Sequence, residues 1–102
     1  MIKPMQILPD NTCVYAQYTI QVPNREKICE YLKQVSIPTA IHYPIPLHLQ
    51  PIFADIKTLS PLKNAEAAAK SVMSLPMHPY LTEDEQNYIV ENLFKALQDD
   101  KK

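Results

Sequence analysis

Three histidines, two cysteines and a scatter of serines are the side chains here that could move a proton, attack a carbonyl or hold a metal. His42 and His48 stand six residues apart across Pro44 and Pro46. That matches neither the i, i+4 pair of a helical zinc site nor a zinc-finger spacing. His78 sits in a separate proline-bounded segment. Cys13 and Cys29 form no CxxC pair and are too few for a disulfide framework, so they read as reduced, packing cysteines of a cytosolic protein. A Cys–His pair, or a Ser–His pair through Ser36, Ser60, Ser71 or Ser74, has no local signature behind it. The acidic residues fall on helix faces and caps, where a solvated role is the default.

One stretch stands apart. Thr39 to His48 places two histidines and a tyrosine between prolines where the chain leaves a strand. Rigid loops at strand ends present side chains to ligands. The competing reading is a proline-rich corner whose His and Tyr make only local hydrogen bonds, and residue types alone favour the corner.

Composition removes whole classes of function. The chain has ten prolines and no glycine, which excludes Walker A loops and dinucleotide fingerprints, since both need glycine where the backbone meets phosphate. Ten basic against eleven acidic residues give a net charge of -1, leaving no basic excess for nucleic acid or an anionic membrane. No apolar run is long enough to span a bilayer, and the first residues do not resemble a signal peptide, so a cytoplasmic location is expected. The 102 residues suit one domain with its own core.

The elements that must position the Thr39–His48 stretch follow from periodicity. Residues 1–11 read as an extended lead-in. From Cys13 to Val22 the chain alternates, with Val14, Ala16, Tyr18, Ile20 and Val22 on one face and Tyr15, Gln17, Thr19 and Gln21 on the other, as in a half-buried strand. Asn24 is positioned to cap a helix whose apolar stripe is Ile28, Tyr31, Leu32 and Val35, ending before Pro38. Ile37 to Tyr43 reads as a second strand, Leu47 to Phe53 as a short helical turn, and Ala54 to Lys63 as a loop. Asn64 is expected to cap a helix with Ala65, Ala68, Ala69, Val72 and Met73 at helical spacing. Ser74 to His78 reads as a third short strand. Thr82 and Glu85 form a capping box for a last helix burying Ile89, Val90, Leu93, Phe94 and Leu97. The domain thus spans residues 12–98, and residues 99–102 form a frayed tail. The order implies an α+β two-layer sandwich, a small mixed or antiparallel sheet with helices packed on one face.

The run from Ile37 to Pro51, with its His42-Tyr43-Pro44 core, resembles a hallmark of the DegT/StrS-type sugar aminotransferases, fold-type I PLP enzymes that install amino groups on nucleotide-activated sugars. Gln17-Tyr18-Thr19-Ile20 resembles the first strand of that family's C-terminal small domain. Asn64-Ala65-Glu66-Ala67-Ala68 resembles its alanine-rich helix, and Ser74-Leu75-Pro76-Met77-His78-Pro79 the approach to its last helix. The likeness covers residues 12 to 97. It implies that PLP is bound in the parent enzyme by an upstream large domain, since none of the nine lysines here matches the family's Schiff-base position. It implies no cofactor site, no metal site and no catalytic residue in this chain, which alone is not an enzyme. The chain would close over the nucleotide-sugar site and brace the cofactor domain, with His42 and Tyr43 as substrate-binding candidates and His48 and His78 structural.

Its expected partners are the large domain or a full-length homologue, with self-association when neither is present and no nucleic acid or membrane partner. A stand-alone interaction or regulatory module with the same fold is the alternative. An unrelated small enzyme using His42 or His78 as a base is a third. One departure from the family pattern is Ser36, where members carry glycine in a left-handed helix cap. Serine there predicts a frayed or differently turned helix end.

Overall fold

A computed structural model describes residues 2–99. Its sheet has three strands, β1 (Lys3–Pro4), β2 (Tyr18–Gln21) and β3 (Val72–Leu75), in the order β1-β2-β3 and antiparallel throughout. Three helices complete the fold: α1 (Arg25–Gln34), α2 (Lys63–Ser71) and α3 (Glu83–Asp99). The architecture is the α+β sandwich expected.

The core lies between the sheet and the α1–α3 pair. Ile20 and Val22 from β2 and its exit, and Met73 from β3, meet Ile28 and Leu32 of α1 and Ile89, Leu93 and Ala96 of α3. Ile28, Leu32 and Met73 are the largest fully enclosed side chains, each worth roughly 1.5–3 kcal/mol of burial. Thr19 and Ser74, paired in register, point to the opposite face, and their hydroxyls hydrogen-bond there at 2.9 Å.

Local chemistry explains the helix ends. Asn24 does occupy the N-cap of α1, in the left-handed conformation (φ 42°, ψ 45°), and its carbonyl rather than its side chain anchors the first turn, accepting from the N–H groups of Lys27 and Ile28. At the other end, Ser36 takes φ 61°. Ser36 N–H donates to Lys33 O at 3.0 Å and Ile37 N–H to Leu32 O at 2.8 Å. Those two bonds make a complete Schellman motif, and the buried Ile37 and Leu32 supply its apolar contact. The helix end is therefore closed, not frayed: serine adopts the glycine conformation and the hydrogen bonds are kept. For α3 the capping box forms as read, with Thr82 N–H donating to Glu85 Oε2 at 2.8 Å and Glu85 N–H to Thr82 Oγ1 at 3.3 Å.

Several expectations are corrected. The first strand is shorter than Cys13–Val22, because Tyr15 takes φ 49° and breaks the alternation, leaving Val14 89% exposed. The expected second strand, Ile37–Tyr43, is reduced to a single bridge between Ala40 and Ser74; Pro38 and Pro44 deny it donors on both sides. The lead-in contributes β1, paired through Lys3 with Gln21. Leu62, not Asn64, caps α2, and Val72 and Met73 belong to β3 rather than to that helix. On α3 the buried face is Ile89, Asn92, Leu93 and Ala96, while Val90 and Phe94 are exposed. Asp99 closes α3, and the rest of the expected tail lies outside the described residues.

Candidate functional site

The proline-rich stretch leaves the sheet at Ala40 and builds the site. Residues alternate across a sheet's faces, so Ala40 and His42 share the open face with Ser74 and Thr19, away from the helices. A shallow cleft of about 260 Å³ lies there, lined by Ala16, Gln17, Ala40, His42, Ser74 and Met77 among others. His42 is exposed at its rim, and Tyr43 is 71% exposed beside it, the two rings edge-to-face with centroids 5.5 Å apart. The peptide bond between them is cis. The structure thus brings His42 and Tyr43 together on an open surface, with donors and acceptors free to meet a polar ligand from outside.

His48 has a different environment. It is half-buried, and its Nε2 N–H donates to Glu66 Oε1 at 3.1 Å, tying the start of the loop to α2. His78 is exposed, with its carbonyl accepting the Leu81 N–H. Among the described residues no three His, Cys, Asp or Glu side chains gather as a metal would require, and both cysteines are free.

Beyond Tyr43 the chain forms an arm. Two short 3-10 turns, Leu47–Leu49 and Pro51–Phe53, are its only regular structure before α2. Tyr43, Ile45, Leu47, Leu49, Ile52, Ile56, Leu59 and Leu62 are all large, apolar and exposed, Ile52 at 83% and Leu59 fully. Eight large side chains left in water along one segment are more than scattered surface apolar residues, and such exposure marks a surface that another body covers. The radius of gyration, 15.7 Å, is well above the roughly 13 Å of a compact domain this long. His42 and Tyr43 therefore sit where an open sheet face meets an uncovered apolar arm.

Arg25 is the residue that sequence reasoning missed. It is 7% exposed, and its Nη1 donates to the carbonyls of Ala69 and, at 3.2 Å, Val72, while Nη2 pairs with Glu26. A guanidinium suits the negative end of α2, and it locks α1 to the α2–β3 junction. As the chain's one arginine, at the first helical position after Pro23-Asn24, it offered only its rarity as a signal. Glu26 is held below the usual carboxylate range by a hydrogen bond from its own backbone N–H and then by Arg25. Glu85 is lowered by the backbone and then the side-chain hydrogen bond of Thr82.

Comparison with known proteins identifies the family and the fold. Residues 2–94 match the model of the "DegT/DnrJ/EryC1/StrS aminotransferase family". The chain is 54% identical over 72 residues to the "UDP-2-acetamido-2-deoxy-3-oxo-D-glucuronate aminotransferase" of Pseudomonas aeruginosa, covering 71% of this chain and 20% of that protein. It is 47% identical over 81 residues to a "Pleiotropic regulatory protein" of Geobacillus stearothermophilus, covering 78% and 22%. The chain thus spans about a fifth of the length of these curated relatives. A solved DegT DnrJ EryC1 StrS aminotransferase from Brucella abortus superposes with TM-score 0.88 at 32% identity, over 94% of this chain and 26% of that one.

Proposed function

The chain belongs to the DegT/DnrJ/EryC1/StrS aminotransferase family, and on that premise we propose that it acts as the C-terminal small domain of a nucleotide-sugar aminotransferase, with residues 12–98 as the body of that domain and the lead-in adding β1 to its sheet. The observation that carries this reading is the superposition of nearly the whole chain on about a quarter of a complete family member. PLP is the cofactor of the parent family; when bound it supplies an electron sink for moving the amino group. The residues of this chain do not fit that group. Every described lysine is exposed, Arg25 is committed to backbone carbonyls, and the chain has no glycine with which to build a glycine-rich phosphate loop. The chain alone is then not an enzyme, and it works in the cytoplasm against a large domain supplied by the rest of the parent or by a full-length homologue.

In this role the open sheet face turns toward the nucleotide-sugar site. The His42 side chain at the rim of the cleft and the exposed Tyr43 ring against it bind and orient the substrate, and the apolar arm docks on the large domain and excludes water around it. His48 and Glu66 hold the arm's root. The large apolar exposure from Tyr43 to Leu62 supports docking over a free-standing existence.

The test is a chimera in which this chain replaces the homologous C-terminal part of the Pseudomonas aeruginosa relative. The chimera is expected to transaminate the nucleotide sugar, and the chain alone to turn over none even with PLP added. In the chimera, His42→Ala and Tyr43→Phe are expected to raise KM for the nucleotide sugar about tenfold, the loss of one hydrogen bond to a charged or polar partner, without lowering thermal stability. Turnover by the isolated chain would refute the domain reading. A folded, active chimera indifferent to both substitutions would refute the substrate-binding roles while leaving the domain reading intact.

A further inference from the structure

The geometry points to a second binding site, unrelated to the nucleotide-sugar cleft: a strand-addition edge at Thr39–Ile41 that accepts an extended peptide segment carrying a lysine or arginine. Ala40 and Ser74 exchange both backbone hydrogen bonds, Ala40 N–H to Ser74 O at 3.1 Å and Ser74 N–H to Ala40 O at 2.7 Å. In an antiparallel pair, the neighbours of such a doubly bonded residue turn their N–H and C=O groups to the other edge. Thr39 and Ile41 therefore offer their backbone groups away from the sheet, and among the described residues neither backbone has a hydrogen-bond partner. Proteins normally blunt such an edge with charge, proline, shortness, a bulge or a covering element; Pro38 lacks its donor on the inner edge, the side that Ala40 bonds, so the outward N–H groups of Thr39 and Ile41 remain. Residues 37–41 carry no charge.

What lies beyond the edge is shaped for a strand. A groove of about 690 Å³ runs between this segment and α1, with Ile37, Ile41 and Cys29 among its apolar lining. Its helical wall presents Glu26, Glu30 and Lys33, two carboxylates against one ammonium. The chain reverses at Ser36, so Ile41 runs alongside the Glu26–Glu30 end of α1 and Ile37 alongside Lys33. An added strand sends alternate side chains toward the helices. One of these is apolar and fills the floor, and the next is basic and meets Glu30. Glu26 is shared with the Arg25 guanidinium at 2.9 Å, whereas Glu30 accepts only from the neutral amide of Gln34 at 3.4 Å, so Glu30 is the principal partner. Main-chain bonds supply the affinity and the groove supplies register and charge selection, as in other strand-addition sites.

The probe is a blocked heptapeptide of alternating threonine and valine with lysine at its sixth position, titrated to millimolar concentration into the isotope-labelled chain and followed by amide NMR. Thr39 and Ile41 amide signals are expected to move and their hydrogen exchange to slow, while the Ala40 amide, already bonded, changes little. A peptide with proline at its centre lacks the donor and is expected not to bind. Glu30→Lys, at an exposed helical position, is expected to weaken binding about twofold to fivefold, the range of a surface ion pair. No change at Thr39 and Ile41 would overturn the proposal. So would equal binding of the proline peptide, or shifts confined to the apolar arm, either of which would show adhesion without strand addition.

Discussion

Replacing Ser36 by glycine is expected to stabilise the chain, and the size of the gain follows from one dihedral angle. Ser36 sits at φ 61° with its N–H and that of Ile37 both bonded back into the last turn of α1. A residue with a Cβ gives up about 1–2 kcal/mol in the left-handed conformation. Glycine removes that penalty but loses about 0.4–1 kcal/mol through the freer unfolded chain. Ser36 is exposed and its side chain makes no hydrogen bond among those of the described residues, so no packing term opposes the change. The net gain is about 0.5–1 kcal/mol, which for a domain of this size raises Tm by roughly 2–8 °C. Urea unfolding followed by circular dichroism should show a higher midpoint with an unchanged slope. Ser36→Val, whose branched Cβ suits φ > 0 least, should move the midpoint the other way. If the glycine variant were no more stable than the parent, the left-handed cap would not be the populated end of α1, and the reasoning from the Schellman bonds would fail.

Four further outcomes are expected. Thr82→Ala should cost about 1 kcal/mol by removing the cap of α3. Because Glu85 has its pKa lowered in the fold, its contribution is present above the unfolded carboxylate pKa and is lost as pH falls through the lower folded value, so Glu85→Gln should flatten the acid limb of stability against pH; an unchanged acid limb would remove the capping box from the account. Arg25→Met should cost about 2–3 kcal/mol, since it strips charged donors from the buried carbonyls of Ala69 and Val72, and a urea midpoint within error of the parent would refute that role. The chain by itself should self-associate through its arm, with Leu47→Lys combined with Ile52→Lys shifting sedimentation toward monomer. A clean monomer of the unsubstituted chain over a wide concentration range would count against an arm built for covering.

How legible the fold was depended on whether the cause of a feature was local. The Thr82–Glu85 box, the Ile28–Leu32 stripe and the stop before Pro38 rest on spacings within a few residues, and all three appear in the structure. Nothing local announced that Tyr15 would turn left-handed and cut the first strand, or that Ile37–Tyr43 would keep only the Ala40 bridge. Strand length is decided by the partner and by the donors available: β3 is four residues long, and Pro38 withdraws a donor from the segment that pairs its other edge. Arg25 was illegible for the same reason: its acceptors are 44 and 47 residues away. At the candidate site, His42 and Tyr43 were legible as a pair between prolines, whereas the bond that separates His48 from them, to Glu66, required the packing of α2.

The misplaced core residues have a shared cause. Val90 and Phe94 fit the helical period of α3 as well as Leu93 does, yet they stand in water, as do Val14 and the arm's Ile52 and Leu59. Hydrophobic periodicity records every surface an element is to bury, whichever body provides the cover. Within this chain the core needs only Ile89, Leu93 and Ala96 from α3, so the second apolar row is surplus to the domain's own packing. A domain evolved to stand alone loses little by replacing such a row with polar residues; one that closes against a larger body keeps it. On the proposed role, the residues that periodicity assigns to the core and the fold leaves outside mark the surface that a large domain would cover. Val90 and Phe94 lie on α3 and Val14 before β2, and together with the exposed arm they predict that a large domain supplied in trans should protect these positions from labelling while leaving the Thr39–Ile41 edge to its own ligand.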